Sequence, residues 1–162
     1  FPFRGKGLRI ARADEVLKQF PKMHFSVEIK QVKPPIVDDV MTLFEQMDAV
    51  HRTVFASFAD MTIAALRKRT PSAATAMAMG EMVTFSALEK DEWPTYTRPC
   101  DFVQVPSDVV TADFMARAAA HGVFVHPWTV NDAKEMKKLI GLGVDGIFTD
   151  DPDLLSGLLE QR

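Results

Sequence analysis

Along the 162 residues, short apolar or β-branched runs alternate with segments whose apolar residues recur at helical spacing. The runs cover residues 24–30, 54–58, 76–82, 101–105, 123–129 and 146–150, each short enough to form a strand. Between them, helical stripes are set by Val37, Val40, Met41, Phe44 and Met47, by Ile63 and Leu66, and by Phe114, Met115 and Ala118. Met136, Leu139 and Ile140 form another, and Leu154, Leu155, Leu158 and Leu159 the last. Asn131, ahead of Asp132 and Glu135, predicts a helix N-cap with acids in the first turn, and Gly143 predicts its C-terminal stop. Asp151 before Pro152 predicts a second capped start. Strands alternating with helices predict parallel pairing, because parallel neighbours need crossover connections. Residues 70–72 and 91–99 read as loops, no linker divides the chain, and the nine Met residues read as core filler.

Run 24–30 carries the chemistry. Phe25, Val27 and Ile29 point one way, and Ser26, Glu28 and Lys30 the other. In a βα barrel the helices cover the outer face of each strand, so the polar set faces the lumen, with Lys30 nearest the catalytic mouth. A carboxylate and an ammonium there are costly to desolvate unless they hold a metal, an anion or each other. Two readings stay open: Glu28 as a hard-cation ligand beside Lys30 as an oxyanion contact, or a solvated edge strand with an incidental charge pair. Trp128 closes its run near the mouth, where an indole either walls a pocket or packs in the core. Asp150 reads as a helix cap rather than a ligand, and Ser57 and Gln104 as structural residues at strand ends. His24, His51, His121 and His126 lack metal-type spacing. His126 shares a strand face with Trp128, and His121 before Gly122 reads as the end of a helix.

Hydrophobic residues at 47%, charged residues at 25% and a net charge of −3 describe an ordinary globular chain. Without a basic stripe there is no electrostatic case for nucleic acid. No apolar run reaches the roughly 20 residues of a membrane-spanning helix. Cys100, the single cysteine, forms no intrachain disulfide and no thiolate metal site by itself. It fits a reducing compartment, and a cytoplasmic location is the expectation. Phe1 opens the sequence without an initiator Met, and residues 1–7 read as the middle of a loop, as expected of a piece of a longer polypeptide.

The helix at 11–20, Ser26-Val27-Glu28-Ile29-Lys30, Ala56-Ser57-Phe58, the Trp128-Thr129-Val130-Asn131 core and residues 143–155 with Gly-Val-Asp-Gly-Ile-Phe-Thr-Asp-Asp-Pro together form a recognisable set. The chain resembles the carboxyl-terminal three-quarters of a glycerophosphodiester phosphodiesterase domain. The resemblance implies an α/β, TIM-type (β/α)8 barrel, of which residues 1–162 supply about six βα units with the first two strands missing. It implies hydrolysis of a small-molecule glycerophosphodiester to glycerol 3-phosphate and an alcohol, with a divalent metal ion, Ca²⁺ or Mg²⁺. Glu28 then matches the family's metal-binding Glu, Lys30 its active-site lysine and Trp128 the aromatic lining the substrate pocket. The family's His-Arg-Gly, Glu-x-Asp and His-Asp motifs are absent, and neither His24 nor His126 matches their histidines. The chain is therefore expected to be part of a normal enzyme completed upstream. The alternatives are a truncated, inactive barrel acting as a binding or structural module, and a sphingomyelinase-D-like phospholipase. No lipid-facing apolar loop is read in the sequence to favour the last.

Overall fold

Helices form where the apolar stripes predict them. In this computed structural model, which describes residue 2 and residues 4–160, the elements run α1 (Ala13–Gln19), β1 (Phe25–Glu28), α2 (Val37–Gln46), β2 (Thr53–Ala56), α3 (Asp60–Arg69), β3 (Ala74–Thr75) and α4 (Met79–Ala87). They continue with β4 (Phe102–Pro106), α5 (Ala112–His121), β5 (Phe124–Trp128), α6 (Ala133–Leu142) and α7 (Pro152–Leu159). Of the opening loop, Phe1 and Phe3 lie outside the described residues, and residues 4–7 are turns.

All pairing is parallel and follows chain order. β1, β2 and β3 form one sheet and β4 and β5 another, joined by a parallel bridge between Ala76 and Phe102. No closed barrel forms among the described residues. The outward strand residues Phe55, Val103, Val105 and Val125 are fully buried beneath the helices. One apolar cluster joins Leu17, Met41, Phe44, Phe55 and Leu66; the other joins Phe85, Val103, Val105, Phe114, Val125 and Met136. The inward face, with Ser26, Glu28 and Gln104, stays open or half-buried. Arg52 is buried at the amino end of β2, where it donates to the carbonyls of Met23 (2.7 Å), Phe20 (3.1 Å) and Leu17 (3.3 Å). It thereby satisfies the end of α1 and fixes the entry into β1.

Several sequence expectations need correction. Run 76–82 is not a strand. Its Ala and Met residues are good helix formers, and the Glu81 carboxylate accepts the Ala78 N–H at 2.9 Å, starting α4 at Met79. Only β3 and the Ala76 bridge pair there, because a continuous apolar run does not distinguish strand from helix. Run 146–150 lies extended against β5, with Phe148 N–H bonded to Pro127 O (2.9 Å), but it is not a regular strand. A regular parallel ladder takes the next bond to Phe148 O from Thr129; here Val130 donates it, at 2.9 Å. Asp132, not Asn131, caps α6 by accepting the Glu135 N–H at 2.9 Å. Asp150 caps nothing; Asp151 does, accepting Leu154 N–H ahead of Pro152. Gly143 and Gly122 end their helices in the left-handed region as expected, with φ of 85° and 62°.

Candidate active site

The alternation of β1 turns Ser26, Glu28 and then Lys30 to the inward side, toward the carboxyl ends of the strands. Two bonds fix that end of the strand. Ile29 N–H donates to Ala56 O at 2.8 Å, extending the ladder past β1. Ser57 Oγ donates to Ile29 O at 2.7 Å while accepting the Ala59 N–H at 3.2 Å. Ser57 thereby holds Lys30 at the mouth, and it also lines the cleft that opens there.

Glu28, Lys30 and Trp128 line one cleft of about 420 Å³. The cleft is two-sided. Ser26, Glu28, Lys30 and Gln104 give it a polar flank, while Phe58, Met77, Met82, Trp128 and Phe148 give it an apolar one. Lys30 Nζ lies 3.2 Å from Glu28 Oε2, with the lysine side chain 80% exposed and the glutamate 31%. Such a pair holds together loosely and is free to exchange partners for an incoming anion or cation. The Trp128 ring meets Phe58 edge-on at 6.0 Å. Gln104 Nε2 donates to Ser26 Oγ at 3.0 Å across the floor, so Gln104 belongs to the site, contrary to its structural reading. Its signal was the inward register it shares with His126 on the next strand. Met77, Met79 and Met82 also line the cleft, so the methionines are not core filler throughout. Their apolar run carried no mark separating a pocket wall from a core.

Asn131 explains how the loop beyond Trp128 is held. Its Oδ1 accepts from Asp150 N–H (2.8 Å) and Thr149 Oγ1 (3.0 Å), and its Nδ2 donates to Asp150 Oδ2 (2.9 Å). His126 shares the inward face of β5 but lies one pitch below the cleft. It lines a second, largely apolar cavity of about 480 Å³ with His24 and His51, at the amino ends of the strands. Its ring packs on Phe102 at 5.4 Å and Phe148 at 6.2 Å. Burial pulls its pKa below the ordinary histidine value, and Asp145 only partly opposes the shift.

A Ca²⁺ or Mg²⁺ ion needs six or more oxygen ligands, usually with more than one carboxylate. Among the described residues no group of three or more His, Cys, Asp or Glu side chains gathers to hold a metal. Glu28 is the one carboxylate lining the cleft, which also contains no histidine. These residues alone do not fit a closed divalent-cation site.

The model of the glycerophosphoryl diester phosphodiesterase family matches residues 2–154. A probable glycerophosphodiester phosphodiesterase 2 of Mycobacterium tuberculosis is 29% identical, over 98% of this chain and 63% of its own length. The putative glycerophosphodiester phosphodiesterase YhdW of Bacillus subtilis is 26% identical, over 93% and 62%. Among solved structures, a putative glycerophosphoryl diester phosphodiesterase from Silicibacter pomeroyi superimposes with a TM-score of 0.80 at 21% identity, over 96% of this chain and 58% of that one. An Oleispira antarctica phosphodiesterase in complex with the product sn-glycerol-3-phosphate gives 0.72 at 18%, over 91% and 59%. At these identities the structural likeness speaks to fold alone. The chain spans about six-tenths of the length of these relatives. By the match over nearly all of its residues, this chain belongs to the glycerophosphoryl diester phosphodiesterase family.

Proposed function

We propose that this chain is part of an enzyme that hydrolyses glycerophosphodiesters to glycerol 3-phosphate and an alcohol. The observation that carries the reading is the convergence of Glu28, Lys30 and Trp128 on one cleft at the carboxyl ends of parallel strands. In this reading residues 1–162 are a partial (β/α)8 domain, and the protein is cytoplasmic. The product held by the Oleispira antarctica phosphodiesterase supports a small phosphodiester as the substrate class.

The Lys30 ammonium donates to a non-bridging phosphoryl oxygen, where negative charge grows as the P–O bond to the alcohol breaks. Trp128 and Phe58 wall the carbon skeleton and keep water from that side. Ser26 and Gln104 offer hydroxyl and amide groups to the polar end of the substrate. A divalent cation, Ca²⁺ or Mg²⁺, would take Glu28 as the one ligand this cleft offers and would offset the charge of the phosphodiester. No proton transfer is assigned to the cleft residues, since no histidine lines it.

The test is turnover of glycerophosphocholine by the protein as its gene encodes it, titrated with Ca²⁺ or Mg²⁺ after chelation. Activity should be lost on chelation, return with metal, and be abolished by Glu28→Ala. Activity indifferent to metal would contradict the role of Glu28. Binding of glycerol 3-phosphate with no turnover under any metal would favour the inactive binding module.

A further inference from the structure

Three thioethers from one short segment face the same cleft. Met77, Met79 and Met82, spaced Met-x-Met-x-x-Met, all line it. The backbone accounts for their common direction. Met77 carries the chain past β3 and donates its N–H to Phe102 O at 2.9 Å. Ala78 is extended, with φ −74° and ψ 174°, so the residues on either side of it turn to one side. Met82 follows Met79 at i+3 and shares its face of α4. The start of this helix is pinned. The Glu81 carboxylate accepts the Ala78 N–H at 2.9 Å and pairs with both terminal nitrogens of Arg67 at 2.5 and 3.0 Å. Met77 is 6% exposed, Met82 half-buried and Met79 40% exposed. The three sulfurs thus belong to side chains graded from core to rim, with a way in from solvent.

We propose that Met77, Met79 and Met82 form a binding site for one soft monovalent cation, Cu⁺ or its analogue Ag⁺. Thioether sulfur is polarizable and uncharged, and it selects soft cations, whereas Ca²⁺ and Mg²⁺ take oxygen. No histidine or cysteine lines the cleft, so Zn²⁺ and Cu²⁺ find neither the imidazole nor the thiolate they favour. A single charge also suits a largely apolar wall, where each further unit of charge is costly to desolvate. Trp128 lines the same cleft, and an indole face attracts a cation that has shed its water. The unbranched methionine side chains adjust their sulfurs to the ion while the pinned backbone stays in place. The site uses the apolar flank, not Glu28 or Lys30, and so does not rest on the phosphodiester reading.

The experiment is calorimetric titration with Ag⁺ of the protein carrying Cys100→Ser, so that its single thiol does not compete. One equivalent should bind, with a change in tryptophan emission that disappears in Trp128→Phe. Met79→Leu and Met82→Leu each remove a sulfur and nearly conserve volume at an exposed and a half-buried position. Each should weaken Ag⁺ by at least about tenfold, the scale on which ligand-shell changes act, with an unfolding curve that matches the parent. Glu28→Gln should bind Ag⁺ as the parent does, and a large excess of Ca²⁺ should not displace it. Absence of binding, or binding that survives both leucine variants, would overturn the thioether site. Displacement by Ca²⁺, or loss in Glu28→Gln, would assign the ion to the carboxylate and overturn it equally. Turnover of a phosphodiester enters none of these measurements, so failure here leaves the phosphodiester reading standing.

Discussion

Replacing Lys30 by Met removes one charge from the mouth and keeps an unbranched side chain one heavy atom shorter. The ammonium is largely in water, and its ion-pair partner among the described residues is Glu28, 3.2 Å away. An exposed ion pair of this kind is worth about 0–1 kcal/mol. The melting temperature should therefore move by no more than about 2–4 °C for a chain of this size. Anion binding should respond very differently. A charge-assisted hydrogen bond contributes about 1.5–3 kcal/mol, equivalent to roughly ten- to a hundredfold in affinity. The upper end is expected, because Lys30→Met also leaves the Glu28 carboxylate unopposed beside the phosphate. The assay is calorimetric binding of sn-glycerol 3-phosphate in chelated buffer, alongside thermal unfolding. Lys90→Met serves as the control, since Lys90 is about as exposed, lies 4.0 Å from one acid, Asp113, and does not line the cleft. Glu28→Gln should act in the opposite direction in chelated buffer, tightening the anion by freeing Lys30, and should weaken it only once Ca²⁺ or Mg²⁺ is present. Equal losses in Lys30→Met and Lys90→Met, or unfolding of Lys30→Met alone, would refute a phosphate role for the lysine.

Arg52→Met should destabilise the fold by about 2–4 kcal/mol, because it removes the guanidinium donors from the carbonyls of Leu17, Phe20 and Met23, of which Phe20 O keeps the Met23 N–H. A denaturant midpoint equivalent to less than about 1 kcal/mol would show that water replaces the arginine. His126, its pKa lowered by burial, binds a proton less readily folded than unfolded, so stability is full above the ordinary histidine range and falls as pH drops below about 6.5. The loss levels off once the folded pKa is passed. His126→Gln should flatten that acid limb between pH 7.5 and 5.5 in denaturant titrations, and an unchanged slope would mean that other groups set it.

Much of this protein is local in origin, and there the sequence suffices. The stripes at Val37–Gln46 and Ala133–Leu142, the glycine stops at Gly122 and Gly143, and the Asp151-Pro152 start all depend on residues within a turn of one another. The two-residue period of Phe25–Glu28 likewise turned Ser26 and Glu28 inward. Three-dimensional packing decided what depends on distant segments. Whether residues 76–82 became strand or helix was settled by Glu81 meeting Ala78 and Arg67, not by hydrophobicity. Asn131 and Asp132 are both plausible caps by type, and the choice fell to Asp132 because residues 149 and 150 claimed the Asn131 side chain. His126 and Trp128 share one strand face, yet the first sits among aromatic rings at the bottom and the second at the mouth. Periodicity encodes which way a side chain points, but which side chains become neighbours depends on how the parallel strands stack, and that is a property of the assembled chain.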